Sequence, residues 1–358
     1  MSWMIYGAYG YTAQKIVAHA VATGHRPLLA GRNSTPLKAM AAQYDLDYIV
    51  LSIEDSLAIA QAVAGVKVLL NAAGSFNQTA LPLLEACISG KTHYVDITGD
   101  MPVMESLLAE HNRASAAGIT VCPACGFDVI PTDCLAASLK NAMPDATHFT
   151  LSMDSNMAIS PGSAKSALEL LALGCVVRRN GVLTQVSRSQ TLRHITFPNH
   201  PAPIPVAAVP WGDLVSAWAS TGIPNIEVLL PLRAGRLEFW LEPLIRLASK
   251  SNLIRRWLTN YIDKKMPLPS DDELDNTSIQ VWGEVRNQAG KTIRGTMTGP
   301  NGYKLTIAGA LFFVEALLDD NAKHPAGYLT PSGLLGENVA TEKLGCSAIN
   351  YSDINDSN

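Results

Sequence analysis

The sequence predicts an α/β fold in two parts: a doubly wound parallel sheet, followed by an α+β part with a mixed or antiparallel sheet. Short apolar runs alternate with stretches of helical periodicity over residues 3–141, as in a parallel sheet covered by helices. A glycine-containing turn joins the first apolar run to the first helix. In the second part, residues 148–154 and 278–298 alternate apolar with polar side chains, as the strands of an open sheet do.

The beginning of the chain predicts one strand–helix–strand unit. An apolar run at 3–6 leads into the turn Gly7-Ala8-Tyr9-Gly10-Tyr11-Thr12-Ala13, and apolar residues then recur at helical spacing up to residue 23. A second apolar run follows at 27–30. In such a unit the amides at the start of the helix face outward, and they can bind the phosphates of a nucleotide.

The turn has the spacing Gly-x-x-Gly-x-x-Ala, in which each small residue has its own role. Gly7 permits the tight turn, Gly10 lets the backbone approach a pyrophosphate, and Ala13 allows the helix to pack closely on its strand. The predicted phosphate-binding residues are Gly7, Ala8, Gly10, Tyr11 and Thr12. The alternative is an ordinary glycine turn, but this turn follows a strand and opens a helix, as the nucleotide-binding motif requires.

The end of the second strand predicts which dinucleotide binds. NAD-binding units usually carry an acidic residue there to hold the ribose 2′-hydroxyl, whereas this strand ends in Gly31-Arg32-Asn33. The guanidinium of Arg32 can pair with a 2′-phosphate and stack on adenine, so we predict NADP(H) as the cofactor. The alternative for Arg32 is a solvated surface arginine. Ser52, after the third strand, is expected near the adenine.

Further strands and helices complete the predicted sheet. Strands at 48–51, 66–72, 93–100 and 119–122 alternate with helices at 35–44, 56–63, 79–89, 101–117 and 134–141. Ligands bind outside the carboxyl ends of parallel strands. We therefore expect Asn71, Ala72 and Gly74, at the end of the fourth strand, to leave room for the cofactor; the alternative is a plain turn between strand and helix.

The composition is that of a globular enzyme and argues against several other classes. Of the 358 residues, 47% are hydrophobic and 16% are charged, so a sizeable core and two domains are expected. The net charge is −4 and no basic tract occurs, so no nucleic acid partner is expected. We find neither a signal-peptide pattern nor a long uncharged apolar stretch, and we interpret the six cysteines as reduced thiols. We therefore expect a cytoplasmic protein.

A set of motifs spread along nearly the whole chain resembles one known family. They are Gly7-x-x-Gly10-x-Thr12, Ala30-Gly31-Arg32, residues 71–76, Tyr94-x-Asp96-x-Thr98-Gly99, Gly126-Phe127-Asp128-x-Ile130-Pro131-x-Asp133, Pro210-Trp211-Gly212-Asp213, and residues 220–225 and 329–332. In these motifs the chain resembles the saccharopine dehydrogenase-like oxidoreductases, and within them the branch of bacterial trans-acting enoyl reductases. The resemblance implies a Rossmann-type first domain, NADP(H) as cofactor and a reductase activity. It does not identify the substrate, because the family spans different reactions.

Two positions depart from the family pattern or add to it. Asp100 stands where the family has glutamate after the fifth strand, so this carboxylate is one methylene shorter. Cys122 and Cys125 form a Cys-x-x-Cys pair. A single pair has half the ligands of a structural zinc site, and a loop rather than a helix follows the first cysteine. We therefore interpret both as structural thiols, in preference to a redox or metal role, and predict no metal site.

Changes in these patterns predict the domain boundaries. We expect an NADP(H)-binding domain at 1–143, a substrate or dimerisation domain at 144–305, C-terminal helices returning to the first domain at 306–349, and a disordered tail at 350–358. Residues 233–265 mix apolar with basic side chains. We interpret this segment as packing on the sheet or as a lid over the substrate. The alternatives are a peripheral membrane or lipid contact and the interface of a homodimer.

A nicotinamide enzyme often needs a proton donor near the reacting atom. The candidate catalytic residues are Tyr94, Asp96, Asp128 and Asp213, with Tyr303 as a further candidate. Asp96 and Asp128 follow predicted strands and are expected beside the cofactor. The alternative role for each is to hydrogen-bond the loop backbone, as aspartate often does beside glycine or proline.

Three functions are compatible with these observations. The first is an NADPH-dependent reductase of a small apolar or acyl substrate, such as an enoyl group, bound in an apolar pocket. The second is a saccharopine-type dehydrogenase of an amino acid or imine, which needs positive groups to hold substrate carboxylates. The positive groups available are Arg178, Arg179, Arg188 and Arg193, whose spacing shows no defined clamp. The third is a non-catalytic NADP(H)-binding protein, which binds the cofactor without turnover.

Overall fold

The computed structural model describes residues 2–232 and 251–354. The strands are β1 (Trp3–Tyr6), β2 (Leu28–Gly31), β3 (Tyr48–Val50), β4 (Val68–Asn71), β5 (His93–Asp96), β6 (Thr120–Cys122), β7 (His148–Ser155), β8 (Val176–Arg179), β9 (Val182–Gln185), β10 (Arg193–Ile195), β11 (Ile204–Ala208), β12 (Asn225–Pro231), β13 (Ile279–Arg286), β14 (Thr292–Gly299), β15 (Gly327–Tyr328) and β16 (Asn350–Ile354). The helices are α1 (Tyr11–Ala22), α2 (Ser34–Tyr44), α3 (Ser56–Val63), α4 (Phe76–Gly90), α5 (Met101–Ala109), α6 (His111–Ala117), α7 (Ile130–Ala142), α8 (Pro161–Leu173), α9 (Arg188–Thr191), α10 (Asp213–Thr221), α11 (Asn252–Lys265), α12 (Asp271–Asn276), α13 (Gly302–Leu318), α14 (Pro331–Leu335) and α15 (Val339–Lys343). The chain divides into two compact units, Met1–Ile130 with Tyr303–Leu335, and Pro131–Gly302 with Gly336–Asn358.

The first unit is built on a seven-stranded sheet in the order β15-β6-β5-β4-β1-β2-β3. All neighbouring strands in it are parallel. The order reverses between β1 and β4, and at such a point an α/β sheet opens a crevice outside the carboxyl ends of its strands. The predicted doubly wound sheet is therefore confirmed. β15 was not predicted from the sequence, because a two-residue strand is too short to show a pattern of alternation.

Burial explains why the first strand and helix form where they do. Every residue of β1 is buried, as expected for a strand covered on both faces. On α1 the buried residues are Ala13, Ile16, Val17 and Ala20, which share one face of the helix. Because this face packs α1 onto the sheet, the start of the helix is held next to the end of β1.

The second unit contains a nine-stranded mixed sheet. Its path is β10-β11-β12-β7-β13-β14-β16, with β8 and β9 attached beside β12. β12 and β7 are parallel, while β13 is antiparallel to both β7 and β14. A Cβ atom on Gly283 of β13 would lie 2.9 Å from the side chains of Leu135 and Leu139. Glycine thus lets α7 pack directly against this sheet, which confirms the predicted α+β character of the second part.

Parts of the chain group differently from the expected boundaries. α7 and α15 group with the second unit, and of the C-terminal helices expected to return to the first domain, α13 and α14 group with the first unit. The tail was expected to be disordered from residue 350, but residues 350–354 form β16, which pairs with β14. An edge strand needs only backbone pairing on one side, so its polar side chains are no obstacle. Of the segment 233–265, residues 233–250 lie outside the described residues, and α11 occupies most of the remainder.

None of the helices in the described ranges combines the length and apolar character that crossing a membrane requires.

Candidate functional site

The turn after β1 requires glycine at its first position. Gly7 has a φ of +82°, and a Cβ atom placed on it would lie 2.7 Å from both Cα and Cβ of Ala73. The amide of Gly7 donates a hydrogen bond to the carbonyl oxygen of Ala30 at 2.8 Å, and the amide of the buried Ala8 donates to the same oxygen at 3.2 Å. The turn is therefore pressed against the loop after β4 on one side and tied to β2 on the other.

The helix that follows presents an open N-terminus. Gly10 is the N-cap residue in extended conformation, no side chain caps it, and the first turn of α1 holds no acidic residue. The first bond within the helix runs from the amide of Gln14 to the carbonyl oxygen of Gly10 at 2.8 Å. The amides of the first turn, including that of Thr12, therefore point beyond the helix end, where the helix dipole favours an anion.

Tyr11 is held in place at this helix start. Its ring packs edge to face against Tyr303, with the ring centroids 5.4 Å apart. The ammonium group of Lys15 lies 5.3 Å from the Tyr11 ring centroid, which brings a positive charge to the first turns of α1. Tyr303 is the second residue of α13, so the C-terminal part of the chain contributes to this edge of the sheet.

Arg32 and Ser52 follow the paired strands β2 and β3 at the same edge of the sheet. Arg32 directly follows β2 and is exposed. The amide of Leu51 donates to the carbonyl oxygen of Gly31 at 2.9 Å, so the exposed Ser52 follows β3 at the same edge. Burial and the phenol of Tyr9 raise the pKa of Tyr6, and the positive charge of Arg32 acts to lower it. An exposed cation in place of an acidic residue suits a 2′-phosphate.

On the other side of the crevice, a buried network links β4, α4 and β5. The amide nitrogen Nδ2 of Asn71 donates to Thr79 Oγ1 at 3.1 Å and to the Tyr94 hydroxyl at 3.2 Å. Asn71 Oδ1 accepts from the amide of Ala73 at 3.1 Å. Asn71 is fully buried, so it acts by holding the loop at 72–75, in which Ala72 is half-buried and Gly74 is exposed.

The network continues to Asp96 at the end of β5. Oδ2 of Asp96 accepts a hydrogen bond from the Tyr94 hydroxyl at 2.8 Å. Oδ1 accepts from the amides of Thr98 and Ala124 at 3.0 and 2.8 Å. Burial raises the pKa of Asp96 to about 6, although these three hydrogen bonds act to lower it. The geometry supports the alternative for Asp96, which is fully buried and accepts from loop backbone, and Tyr94, also fully buried, bonds to Asn71 and Asp96.

A second carboxylate site follows β5 and β6. Asp128 lies beside Gly99, since a Cβ atom on Gly99 would be 3.0 Å from Asp128 Cγ. Burial and, to a lesser degree, the negative charge of the buried Asp100 together raise the pKa of Asp128 to about 7. Asp128 itself is partly exposed. The carboxyl of Asp128 can therefore hold a proton near neutral pH.

Residues from α13 position the loop that carries Asp128. Thr306 Oγ1 accepts a hydrogen bond from the amide of Phe127 at 3.0 Å, and a Cβ atom on Gly126 would lie 3.1 Å from the same oxygen. Sequence reasoning did not identify Thr306, because it lies 179 residues from Phe127 along an apolar helix. No local pattern marks a threonine on such a helix as a loop anchor.

The remaining candidates lie elsewhere or have structural partners. Asp213 starts α10 in the second unit, is fully buried, and accepts a weak hydrogen bond from the Ser216 hydroxyl at 3.5 Å. Cys122 and Cys125 are buried, with their sulfur atoms 3.6 Å apart. Burial raises the pKa of Cys125 well above its ordinary value, so its reactive thiolate form is disfavoured, in agreement with a structural role.

Replacing Tyr94 with phenylalanine tests the bracing role. The change removes one hydroxyl that serves both Asn71 and Asp96, so two buried polar groups lose a partner. We expect the free energy of unfolding to fall by about 2 kcal/mol, measured by urea denaturation, with NADPH affinity nearly unchanged. The half-exposed Tyr48 supplies the control, and Tyr48→Phe is expected to leave stability unchanged. If Tyr94→Phe is as stable as the wild type, the bracing role is wrong, and Tyr94 is again a candidate for the proton donor.

These features define a class of domain: a parallel sheet with a Gly-x-x-Gly-x-x-Ala turn at its switch point, an open helix N-terminus and a basic residue after β2 is a dinucleotide-binding domain. Residues 3–122 match the family model described as "Saccharopine dehydrogenase NADP binding domain". This part of the first unit is therefore similar to the NADP-binding domain of saccharopine dehydrogenases. This match confirms the family resemblance of the domain and NADP(H) as its cofactor.

Comparison with whole proteins extends the likeness only in part. Residues of this chain are 31% identical over 138 positions to the trans-acting enoyl reductase of Mycobacterium tuberculosis and 30% identical to that of Mycobacterium leprae. Each match covers 36% of this chain and 33% of the relative, so the chain spans about a third of the length of the curated relatives it matches. The apo saccharopine dehydrogenase (L-Glu forming) of Saccharomyces cerevisiae has a similar fold, with a TM-score of 0.65 over 99% of this chain and 100% of that chain. At 16% sequence identity this similarity shows the fold alone.

Proposed function

We propose that the chain is an NADP(H)-dependent reductase that acts on a small apolar or acyl substrate, such as an enoyl group. The proposal is supported by an NADP-binding domain together with Asp128, a partly exposed residue after β6 whose pKa is raised to about 7. The trans-acting enoyl reductases that share this domain support the choice of an enoyl group. In this reductase the β1–β3 side of the crevice binds the cofactor, and the β4–β6 side transfers the proton.

The residues of the first unit have separate roles in this reaction. NADPH, when bound, supplies a hydride to the substrate. The turn at Gly7 and the open N-terminus of α1 hold the pyrophosphate, and Arg32 and Ser52 hold the adenosine end. Asn71 and Asp96 keep the loops after β4 and β5 in place. Asp128 holds the proton that a saturated product requires, and a carboxyl with a pKa near the working pH is suited to release and recover it.

The imine-dehydrogenase alternative has less support from the second unit. Arg178 donates from Nε to the Leu214 carbonyl oxygen at 2.8 Å, and its guanidinium lies 4.3 Å from the Trp218 ring centroid. Arg179 and Arg193 both pair with the buried carboxylate of Glu227. Arg178, Arg179 and Arg193 therefore already bind protein groups, so a clamp for substrate carboxylates would have to replace these contacts.

Arginine 32 can be tested directly by nucleotide binding. The Arg32→Ala variant loses one charge-assisted contact to the 2′-phosphate, so we expect its NADPH affinity to fall by about 2 kcal/mol, roughly thirtyfold. Its NADH affinity is expected to change little, because NADH lacks that phosphate. Fluorescence titration with each nucleotide measures both. The matched control is Arg26→Ala, which removes an exposed arginine paired with Asp45 at the amino end of β2.

The same titration can contradict the proposal. If Arg32→Ala still prefers NADPH over NADH as the wild type does, Arg32 is a solvated surface arginine that does not contact the 2′-phosphate. Binding of neither nucleotide to the wild type would reject the reductase altogether. Tight NADPH binding without oxidation of NADPH by any enoyl thioester would favour the non-catalytic alternative.

A further inference from the structure

We infer that the outer face of α11 is a docking surface for a lipid bilayer with anionic headgroups. Ile254, Trp257 and Tyr261 lie on this helix at spacings of three and four residues, so they share one face. Their exposed fractions are 40%, 64% and 56%, although each is large and apolar or aromatic. We call these three residues the aromatic face. A water-facing stripe of this kind costs solvation free energy that contact with an apolar phase would recover.

The aromatic face has the features of a helix that binds at a membrane interface, and it is not the face by which α11 packs within the second unit. The rings of Trp257 and Tyr261 stack on each other, with centroids 5.9 Å apart and planes inclined by 21°. The partly buried Leu258 and Ile262 lie on the neighbouring face of α11, and the helix contacts α8. Packing within the second unit thus uses a different face from the one left exposed. Tryptophan and tyrosine, with an apolar ring and one polar atom, are the side chains preferred at the membrane–water boundary.

Charge indicates which surface is the partner. The sequence of α11 contains Arg255, Arg256, Lys264 and Lys265 against one acid, Asp263, in a chain whose net charge is −4. Lys264 and Lys265 are exposed and follow Tyr261 by three and four residues, so they continue the aromatic face toward the end of the helix. The next helix, α12, has the acidic sequence DDELDN, so the excess of basic residues is confined to α11. A helix with an aromatic face and flanking lysines binds membranes that carry negative headgroups.

Further exposed apolar side chains occur after α11 and on α8, the helix that α11 contacts. Leu268 follows α11 and is 57% exposed, and Leu171 near the end of α8 is 43% exposed. On α8 only Ala164 is buried among the described residues, although the helix is rich in leucine and alanine. On α8, on α11 and in the few residues next to these helices, the exposed large apolar side chains are Ile159, Leu171, Ile254, Trp257, Tyr261 and Leu268. The inference is independent of the proposed reductase activity, because it rests on residues of the second unit alone.

Vesicle flotation with the full-length chain tests the inference. We expect the wild type to float with vesicles that contain phosphatidylglycerol and to bind phosphatidylcholine vesicles weakly, with binding reduced by salt. Neutralising both lysines as Lys264→Gln with Lys265→Gln is expected to weaken binding about thirtyfold, since each basic residue near the surface contributes about fivefold. Trp257→Ala with Tyr261→Ala is expected to weaken it about tenfold or more.

Matched controls separate a docking defect from a folding defect. Leu57→Ala removes a side chain that is 69% exposed on α3 in the first unit, and it is expected to bind vesicles like the wild type. All variants are expected to keep the NADPH affinity and thermal midpoint of the wild type. The inference is overturned if the wild type does not bind anionic vesicles, or if the Trp257 and Lys264 variants bind as well as it does. It is also overturned if sedimentation velocity shows a dimer that Trp257→Ala dissociates while vesicles are not bound, because the face then belongs to a second copy.

Discussion

Alanine at position 7 is expected to abolish NADPH binding and to lower the free energy of unfolding by about 2–4 kcal/mol. The residue would have to keep a φ of +82°, and its Cβ atom would lie 2.7 Å from the backbone and side chain of Ala73. Relief of that overlap moves the turn away from the loop after β4, which also moves the start of α1. Fluorescence titration with NADPH and urea denaturation measure the two effects.

Two other glycines separate the contributions at position 7. Gly24 has a similar φ of +90°, but no atom lies within 4 Å of a Cβ placed on it. Gly24→Ala is therefore expected to lower the free energy of unfolding by about 1–2 kcal/mol without changing NADPH affinity. Gly10→Ala has a φ of −67°, and its Cβ would lie no closer than 3.4 Å to protein atoms. It is expected to fold normally and to bind NADPH more weakly, because the methyl group occupies the approach of the pyrophosphate. Wild-type NADPH binding by Gly7→Ala would show that the turn is not the phosphate site.

Replacing Asp128 with asparagine is expected to make the protein more stable at pH 8 while removing its turnover. Burial and the charge of Asp100 make the ionised carboxylate costly in the folded chain. Asparagine has the shape of the protonated carboxyl but cannot release a proton, so we expect kcat with an enoyl thioester to fall by a factor of about 10²–10⁴. A residue that only supports the fold would not show this combination of gained stability and lost turnover.

The pH dependence of this stability gain has a definite sign. The pKa of Asp128 rises from its ordinary value of 3.8 to about 7 on folding, so the folded state holds the proton more tightly than the unfolded state. The contribution of Asp128 to stability is therefore fully present below about pH 4 and is lost as the pH rises to about 7. Above pH 7 we expect Asp128→Asn to exceed the wild type by roughly 2–4 kcal/mol, and near pH 4 the two to coincide. Thermal and urea unfolding at several pH values measure the difference.

Asp100→Asn serves as the matched variant for this pair. It removes the neighbouring negative charge, so the pKa of Asp128 should fall and the pH at which stability declines should move to lower values. As a second check, NADPH affinity is expected to stay at the wild-type level in both variants. If Asp128→Asn retains the turnover of the wild type, proton donation belongs to another group; if its stability curve follows that of the wild type at every pH, the carboxyl does not titrate as the structure indicates.

The features determined by the sequence alone are local ones. The strand, turn and helix at the start of the chain depend on residues only a few positions apart, so the glycine spacing and the period of apolar residues were enough to predict them. The replacement of an acid by Arg32 after the second strand likewise predicted NADP(H), because that position is defined by its distance from the turn. The alternation of strands and helices predicted a doubly wound sheet for the same reason.

Only the tertiary structure decided which polar groups meet. Periodicity shows that Tyr94 and Asp96 face the same side of a strand, but not that Asn71 and the amide of Ala124 complete a buried network around them. It likewise does not show that Thr306, far along the chain, holds the loop that carries Asp128. Burial and the charge of a neighbour set the pKa of a carboxyl, and both arise from contacts between distant segments. The sequence therefore identified the cofactor domain, whereas folding decided that Asp96 is buried in bonds to loop backbone while Asp128 stays partly exposed.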